Sequence, residues 1–182
     1  MYNEEKLPPN YKLIKYISKG SYGKVYLVKN TEYDNYTTLK KYDILKNDIG
    51  GDIIKECVIY NTLQHKNIVT SKKFFNYDNC FYSEMEYLNK NINDYYNYEL
   101  KTIKRMIRDV LSGIEHLHNH GIVHSDIKPA NILTDKNNTI FKLCDFGLSE
   151  YIGYPYLNKK LICTAGFMAP ECFSFEKKKN RY

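Results

Sequence analysis

His124-Ser125-Asp126-Ile127-Lys128-Pro129-Ala130-Asn131 decides how this chain is read. The stretch places several kinds of chemistry in one short loop. Asp126 is a carboxylate, able to take up the proton of a neighbouring hydroxyl. Lys128, two residues on, can neutralise charge on a phosphoryl group in transit. Pro129 stiffens the loop, and the amide oxygen of Asn131 at its far end can hold Mg²⁺. An ordinary polar loop could carry the same residues, so the weight falls on what flanks them.

Upstream, Ile103, Met106, Ile107, Val110, Leu111, Ile114 and Leu117 recur at helical spacing from Leu100 to His118, with Gly121 closing the helix. That helix delivers the loop, and its apolar face is expected to be core. Downstream, Ile132-Leu133 and Ile140-Phe141-Lys142-Leu143 read as a short β pair around the polar turn Lys136-Asn137-Asn138. Near the N-terminus, Tyr11–Ile17 and Lys24–Val28 alternate around a glycine turn and read as a hairpin. Gly20 and Gly23 leave backbone N–H groups free to approach phosphates without Cβ clashes. Thr37-Thr38-Leu39-Lys40 predicts a third strand. Asp52–Leu63 predicts a helix, with Ile53, Cys57 and Tyr60 on one face and Glu56 inside it. Cys80–Leu88 predicts another strand, and the polar run Asn89–Asn97 follows it.

His124–Asn131 resembles the catalytic loop of protein kinases, H-R-D-x-K-P-x-N, with Ser125 in place of the arginine. Ser18-Lys19-Gly20-Ser21-Tyr22-Gly23-Lys24-Val25 resembles the family's glycine-rich loop, with Ser18 replacing the first glycine. Lys40 matches the lysine of V-A-I-K, and Glu56 the glutamate of the C-helix, followed by His65-Lys66-Asn67-Ile68-Val69. Asp145-Phe146-Gly147 matches D-F-G, and Thr164–Glu171 resembles T-x-x-[YF]-M-A-P-E. The resemblance runs from about residue 11 to 174. It implies an α+β, two-lobed protein kinase-like fold: a small β-rich N-lobe with a C-helix, over 11–88, and a truncated, mainly helical C-lobe, over 89–182. Residues 1–10 are then an N-terminal extension.

The resemblance also assigns roles. Lys40, held by Glu56, grips the α- and β-phosphates of ATP beneath the glycine-rich loop (Ser18, Lys19, Gly20, Ser21, Tyr22, Gly23, Val25). Thr38 stands where alanine covers the adenine, Met85 guards the back of the base pocket, the backbone of Glu86 and Leu88 hydrogen-bonds the base, and Leu133 closes the pocket from below. Asp145 and Asn131 hold Mg²⁺. Asp126 orients the hydroxyl and accepts its proton, Lys128 steadies the γ-phosphate, and Thr164 sits near Asp126. Lys128 and Thr164 favour serine/threonine over tyrosine as the acceptor on a protein substrate.

Composition narrows the field. A chain of 182 residues, 43% hydrophobic, can bury a core and is no disordered tail. The five cysteines are scattered with no C-x-x-C pair, which suits reduced thiols in an intracellular, cytoplasmic protein. No apolar run has membrane-spanning length. The net charge of +6 comes from dispersed lysines, with Arg105, Arg108 and Arg181 the only arginines, so a nucleic-acid partner is not expected. The load of Lys, Asn, Tyr and Ile suggests an AT-rich coding genome.

Departures from the family carry expectations of their own. Without an arginine at 125 to clamp an activation-segment phosphate, phosphorylation at Ser149, Tyr151, Tyr154 or Tyr156 is not needed for activity. Cys163 replaces the glycine before Thr164. Tyr182 follows soon after Glu171, so the family's later helices and the arginine that pairs with Glu171 are missing from this sequence. Apolar surface on the 100–118 helix is then expected to be uncovered, inviting a partner over the incomplete C-lobe. The alternative reading is a catalytically weak, nucleotide-binding interaction module.

Overall fold

The computed structural model describes residues 6–20, 22–42, 50–94, 97–153 and 164–170. They fall into two compact units. The first takes the chain up to Gln64 together with Val69–Leu88; the second takes His65–Ile68 and everything from Asn89 onward.

The first unit is built on an antiparallel sheet of β1 (Tyr11–Gly20), β2 (Gly23–Asn30), β3 (Asn35–Tyr42), β4 (Ser71–Tyr77) and β5 (Cys80–Met85), in the order β1-β2-β3-β5-β4. The alternation of the first three segments places them correctly but undershoots their length. β1 runs past Ile17 because Ser18, Lys19 and Gly20 go on pairing with Val25, Lys24 and Gly23. β4 was not anticipated. Apart from a slip between Ser71 and Lys73 its pairing with β5 is regular, but both faces are packed: Phe74 meets Tyr60 and Phe75 stacks on Tyr82, so adjacent aromatic residues stand where a two-residue alternation would have marked a strand. A local signal was nonetheless present in Asp78-Asn79, both at positive φ (49° and 56°), the pair that a two-residue hairpin turn requires.

One face of the sheet buries Tyr11, Tyr26, Val28, Leu39 and Tyr82, with Leu7, Phe75, Tyr77 and Cys80 packed against them. The helix α1 (Gly50–Thr62) buries Ile53, Glu56, Ile59 and Tyr60, and Tyr60 meets Phe74 of β4 with ring centroids 6.5 Å apart. Burying each large side chain is worth about 1.5–3 kcal/mol before the entropy of ordering is subtracted. The aromatic stacks Tyr11–Phe75 and Phe75–Tyr82 align the strand edges as well as fill space.

The second unit is organised by α2 (Leu100–Asn119). Gly121, at φ 69°, ends it: the N–H groups of His120 and Gly121 reach back to the carbonyls of Leu117 and His118. Two short sheets accompany it among the described residues. β6 (Lys90–Asn91), β8 (Ile132–Thr134) and β9 (Phe141–Leu143) form one, and β7 (Ile122–Val123) pairs with β10 (Glu150–Tyr151) in the other. Two-residue strands are too short to carry a period, so no residue pattern announces them.

The buried side of α2 corrects one expectation. It is Asp109, Gly113 and Leu117 that are buried, while Ile107 and Leu111 are 51% and 58% exposed among the described residues. The reason lies in what α2 packs against. Asp109 Oδ2 accepts the Phe141 N–H at 3.1 Å. A Cβ at Gly113 would stand 2.9 Å from the Asn67 carbonyl oxygen and 3.1 Å from Leu143 Cδ1. Asn67 in turn donates its side-chain amide to Phe141 O and accepts the Leu143 N–H, both at 2.9 Å. No described helix is long and apolar enough to cross a membrane.

Candidate active site

In the first unit the site begins with a buried ion pair. β3 presents Lys40 on the face opposite Leu39, and α1 presents Glu56 in line with Ile53 and Tyr60. Lys40 Nζ lies 2.7 Å from Glu56 Oε1 and 2.9 Å from Oε2, with the two side chains 7% and 1% exposed. Such a fork fixes the ammonium in direction as well as position. Beside the pair, burial and the Glu56 charge push the Cys57 thiol up to about 12, so it stays protonated and inert.

Ser18, Val25 and Lys40 form a row across β1, β2 and β3, and Thr38 pairs with Met85 of β5. The two glycines of the hairpin serve different ends. A Cβ at Gly20 would meet nothing nearer than 4.0 Å, so space remains for a close approach to its backbone. A Cβ at Gly23 would stand 2.0 Å from the Lys41 carbonyl oxygen; its smallness is demanded by β3, not by a ligand. Lys19 and Tyr22 flank the turn, and Ser21 lies outside the described residues. Past β5, the Glu86 N–H is spent on Thr70 O at 3.0 Å, and the Glu86 carboxylate accepts the Thr70 N–H at 2.6 Å. Leu88 follows, half-buried.

In the second unit the loop after β7 folds around Asp126. His124 is buried, and its ring ties two segments: Nδ1 accepts the Asp126 N–H at 3.3 Å, which leaves Nε2–H to donate to Cys144 O at 3.1 Å. Burial holds this imidazole below its ordinary pKa, outweighing the Cys144 hydrogen bond and the nearby Asp145 and Asp126 charges, so it stays neutral. Pro129–Asn131 forms a 3₁₀ turn that brings Asn131 back over Asp126. Asn131 Nδ2 donates to Asp126 O at 2.9 Å and to Asp126 Oδ2 at 3.0 Å. Lys128 Nζ lies 2.7 Å from Asp126 Oδ2 and donates to Thr164 Oγ1 at 2.8 Å. The Thr164 hydroxyl donates to Asp126 Oδ1 at 2.7 Å. Both Asp126 oxygens are therefore engaged, one by a cation and an amide, the other by an aliphatic hydroxyl. Ser125 and Asp145 both take left-handed backbone, at φ 64° and 63°, a conformation that costs energy and persists where surroundings over-determine it.

A family model of the protein kinase domain matches residues 11–182. The chain belongs to the protein kinase family. It is 36% identical over 174 residues to calcium-dependent protein kinase 4 of Plasmodium berghei (strain Anka), covering 88% of this chain and 33% of that protein. To calcium-dependent protein kinase 4 of Plasmodium falciparum (isolate 3D7) it is 34% identical over 174 residues, with the same coverage. The chain spans about a third of the length of these curated relatives.

In this kinase domain the structure brings Lys40 together with Glu56, and Asp126 with Lys128, Asn131 and Thr164. Leu133 lies in β8, half-buried between Asn91 and Lys142, and Asp145 follows β9 by two residues. Sequence reasoning assigned no role to His124, although the quoted loop begins with it, nor to Phe146, whose buried ring lies 5.2 Å from the imidazole. Ser149 is fully buried, its hydroxyl donating to His124 O at 3.2 Å, so it is no open acceptor for phosphorylation. Tyr154, Tyr156, Cys163 and Glu171 lie outside the described residues.

Proposed function

We propose that this kinase domain, residues 11–182 with 1–10 as an extension, transfers the γ-phosphoryl group of ATP to serine or threonine hydroxyls of protein substrates. The observation that carries this reading is Thr164 Oγ1–H donating to Asp126 Oδ1 at 2.7 Å while Lys128 reaches both residues. A carboxylate already oriented to receive an aliphatic hydroxyl is suited to accept its proton during transfer. Lys128, on the other Asp126 oxygen and on the Thr164 hydroxyl, supplies positive charge for the negative charge that develops on the phosphoryl group. Lys40, aimed by both Glu56 oxygens, anchors the α- and β-phosphates, and Ser18, Lys19, Gly20, Ser21, Tyr22, Gly23 and Val25 cover them. Thr38, Met85 and Leu133 line the base. Leu88 meets it through its backbone, and Glu86 through its carbonyl, since the Glu86 N–H is committed to Thr70.

The donor set suits Mg²⁺. Both Asn131 Nδ2 contacts run to Asp126, which leaves the amide oxygen to face a cation, and Asp145 adds a carboxylate. One amide oxygen and one carboxylate, completed by phosphate oxygens and water, is a set this cation favours. When bound, Mg²⁺ supplies charge neutralisation on the triphosphate. Cys57, Cys80 and Cys144 are free thiols, which suits a reducing, cytoplasmic setting.

The test is transfer from Mg-ATP to a basic protein substrate by residues 1–182, beside Asp126→Asn, with analysis of the phosphorylated residue type. Phosphoserine or phosphothreonine that disappears in the variant supports the reading. Phosphotyrosine would refute the acceptor class. ATP binding without transfer would favour the weak, nucleotide-binding interaction module instead.

A further inference from the structure

On the face of the first unit's sheet away from Lys40 lies a charged group that the proposed chemistry does not use. Glu84, one residue before the end of β5, has a side chain only 3% exposed. Its carboxylate gathers donors from three strands. The Tyr11 hydroxyl of β1 donates to Oε2 at 2.5 Å, and Asn30 Nδ2 of β2 donates to Oε1 at 3.3 Å. Lys73 Nζ lies 3.5 Å from Oε2 and Lys72 Nζ 3.9 Å from Oε1, both from β4. Burial alone would push this carboxyl up. The Tyr11 and Asn30 hydrogen bonds and the two lysines outweigh it, so the group sits below its usual range and stays charged.

Successive residues of a regular strand point to opposite faces, so Lys72 and Lys73 should not both reach one carboxylate. They do because the pairing of β4 with β5 slips between Ser71 and Lys73. A bulge of this kind re-aims side chains and ends regular pairing. Here it sits one residue pair from the point where the chain leaves β5. The next residues are held as well. Thr37 Oγ1 donates to Met85 O at 2.6 Å, and Thr70 and Glu86 bond reciprocally. The backbone from 84 to 86 is thus pinned from β1, β2, β3 and β4.

We propose that Glu84 is a positioning residue for nucleotide binding, its carboxylate fixing the chain where it enters the base-contacting segment 85–88. This rests on the nucleotide reading above. Glu84 touches no substrate; it acts through the placement of the Glu86 carbonyl and Leu88 backbone, so its loss should fall on base recognition. Glu84→Val leaves the Tyr11 hydroxyl and the buried Asn30 amide without this acceptor and should cost stability, although the partly exposed Lys72 and Lys73 can turn to water. Tyr11→Phe, which removes one hydroxyl and keeps the ring stack, is the milder companion.

The experiment measures dissociation constants for ADP and GDP, with Mg²⁺ present, by calorimetry on residues 1–182 and both variants. The wild type is expected to prefer ADP. In Glu84→Val the ADP affinity should fall by roughly 5–10-fold, the scale of one well-placed hydrogen bond, while GDP changes by less than about twofold. Tyr11→Phe should move the ratio in the same direction by roughly 2–3-fold, and it decides the matter if Glu84→Val does not fold. A merely structural carboxylate would weaken both nucleotides in parallel or neither. An unchanged ADP-to-GDP ratio, or a wild type without base preference, overturns the proposal. A wild type that binds neither nucleotide overturns the nucleotide reading itself.

Discussion

Removing one partner of the Lys40–Glu56 pair would leave the other in a nearly water-free site without the two-oxygen contact that holds it. Glu56→Gln is the sharpest perturbation, because it keeps shape and one acceptor oxygen while deleting the charge. Breaking a buried pair typically costs about 3–5 kcal/mol. Two features of this structure pull the figure down. The Gln oxygen still accepts from Nζ, and the Lys40 ammonium lies 5.0 Å from the Tyr42 ring centroid, a cation–π contact worth about 1 kcal/mol that survives the change. The expected loss is therefore about 2–3 kcal/mol. Lys40→Met combined with Glu56→Leu should return close to wild-type stability, since neither charge is left to desolvate. Urea denaturation followed by circular dichroism on the wild type, Lys40→Met, Glu56→Leu and the double variant measures the coupling, with Glu56→Gln measured beside them. Phosphoryl transfer should be lost in the single and double variants alike, which separates stability from function. A Glu56→Gln loss below about 0.5 kcal/mol, within the range of ordinary surface changes, would refute the buried-pair reasoning.

The two hairpin glycines should respond differently to alanine: Gly23→Ala drives a Cβ into the Lys41 carbonyl and should cost roughly 1–3 kcal/mol, while Gly20→Ala should stay within about 0.5 kcal/mol, both read from urea midpoints. Asp145→Asn should lower phosphoryl transfer by at least ~10²-fold in single-turnover assays, the scale of losing a preorganised electrostatic group. Phosphatase treatment should leave activity intact, with Ser125 in place of a phosphate-clamping arginine and Ser149 buried; lost activity that rephosphorylation restores would count against this. Stability should fall with acidification through the histidine stack of the second unit. His65 and His116 stack at 4.7 Å and His116 and His120 at 4.4 Å, and among the described residues His116 Nε2 is buried without a hydrogen-bond partner. Burial first, then Lys66 for His65 and the neighbouring histidines for His116, holds both pKa values below 6.5, against a smaller opposing effect of Glu115 on His65. The unfolded chain then binds more protons below pH 6.5, so this stability is full above that pH and is lost as pH falls through the lowered folded values. Urea midpoints at pH 7.5 and 5.5 should differ in that direction, and His116→Tyr should flatten the slope.

Much of the candidate site was legible because its groups lie close together in the chain. Asp126, Lys128 and Asn131 share one loop, and the turn that folds Asn131 onto Asp126 needs only a proline at its start. The pairing of Lys40 with Glu56 was readable only through resemblance, since a helix glutamate carries no local mark of burial. The helical period of 100–118 located α2 and put Leu117 inside, but it did not find Asp109 and Gly113, and it counted Ile107 and Leu111 in a face where they stay exposed. Periodicity finds a stripe of apolar residues, whereas Asp109 and Gly113 are buried by hydrogen bonding and close approach. β4 escaped because Phe74 and Phe75 both pack, one on Tyr60 and the other on Tyr82, so the strand shows adjacent aromatic residues and no alternation.

The sequence by itself determined the family, the order of the chemical groups and most strands of the first unit, because loop motifs and alternation are encoded over a few neighbouring residues. Only the tertiary structure decided that Asp126 divides its oxygens between a cation and a hydroxyl. It alone assigned Gly23 to β3, buried Ser149, and delivered Lys72 and Lys73 to a carboxylate bonded to a tyrosine 73 positions away. Those outcomes depend on register, bulges and close approach between distant segments, and no local pattern of residues specifies them.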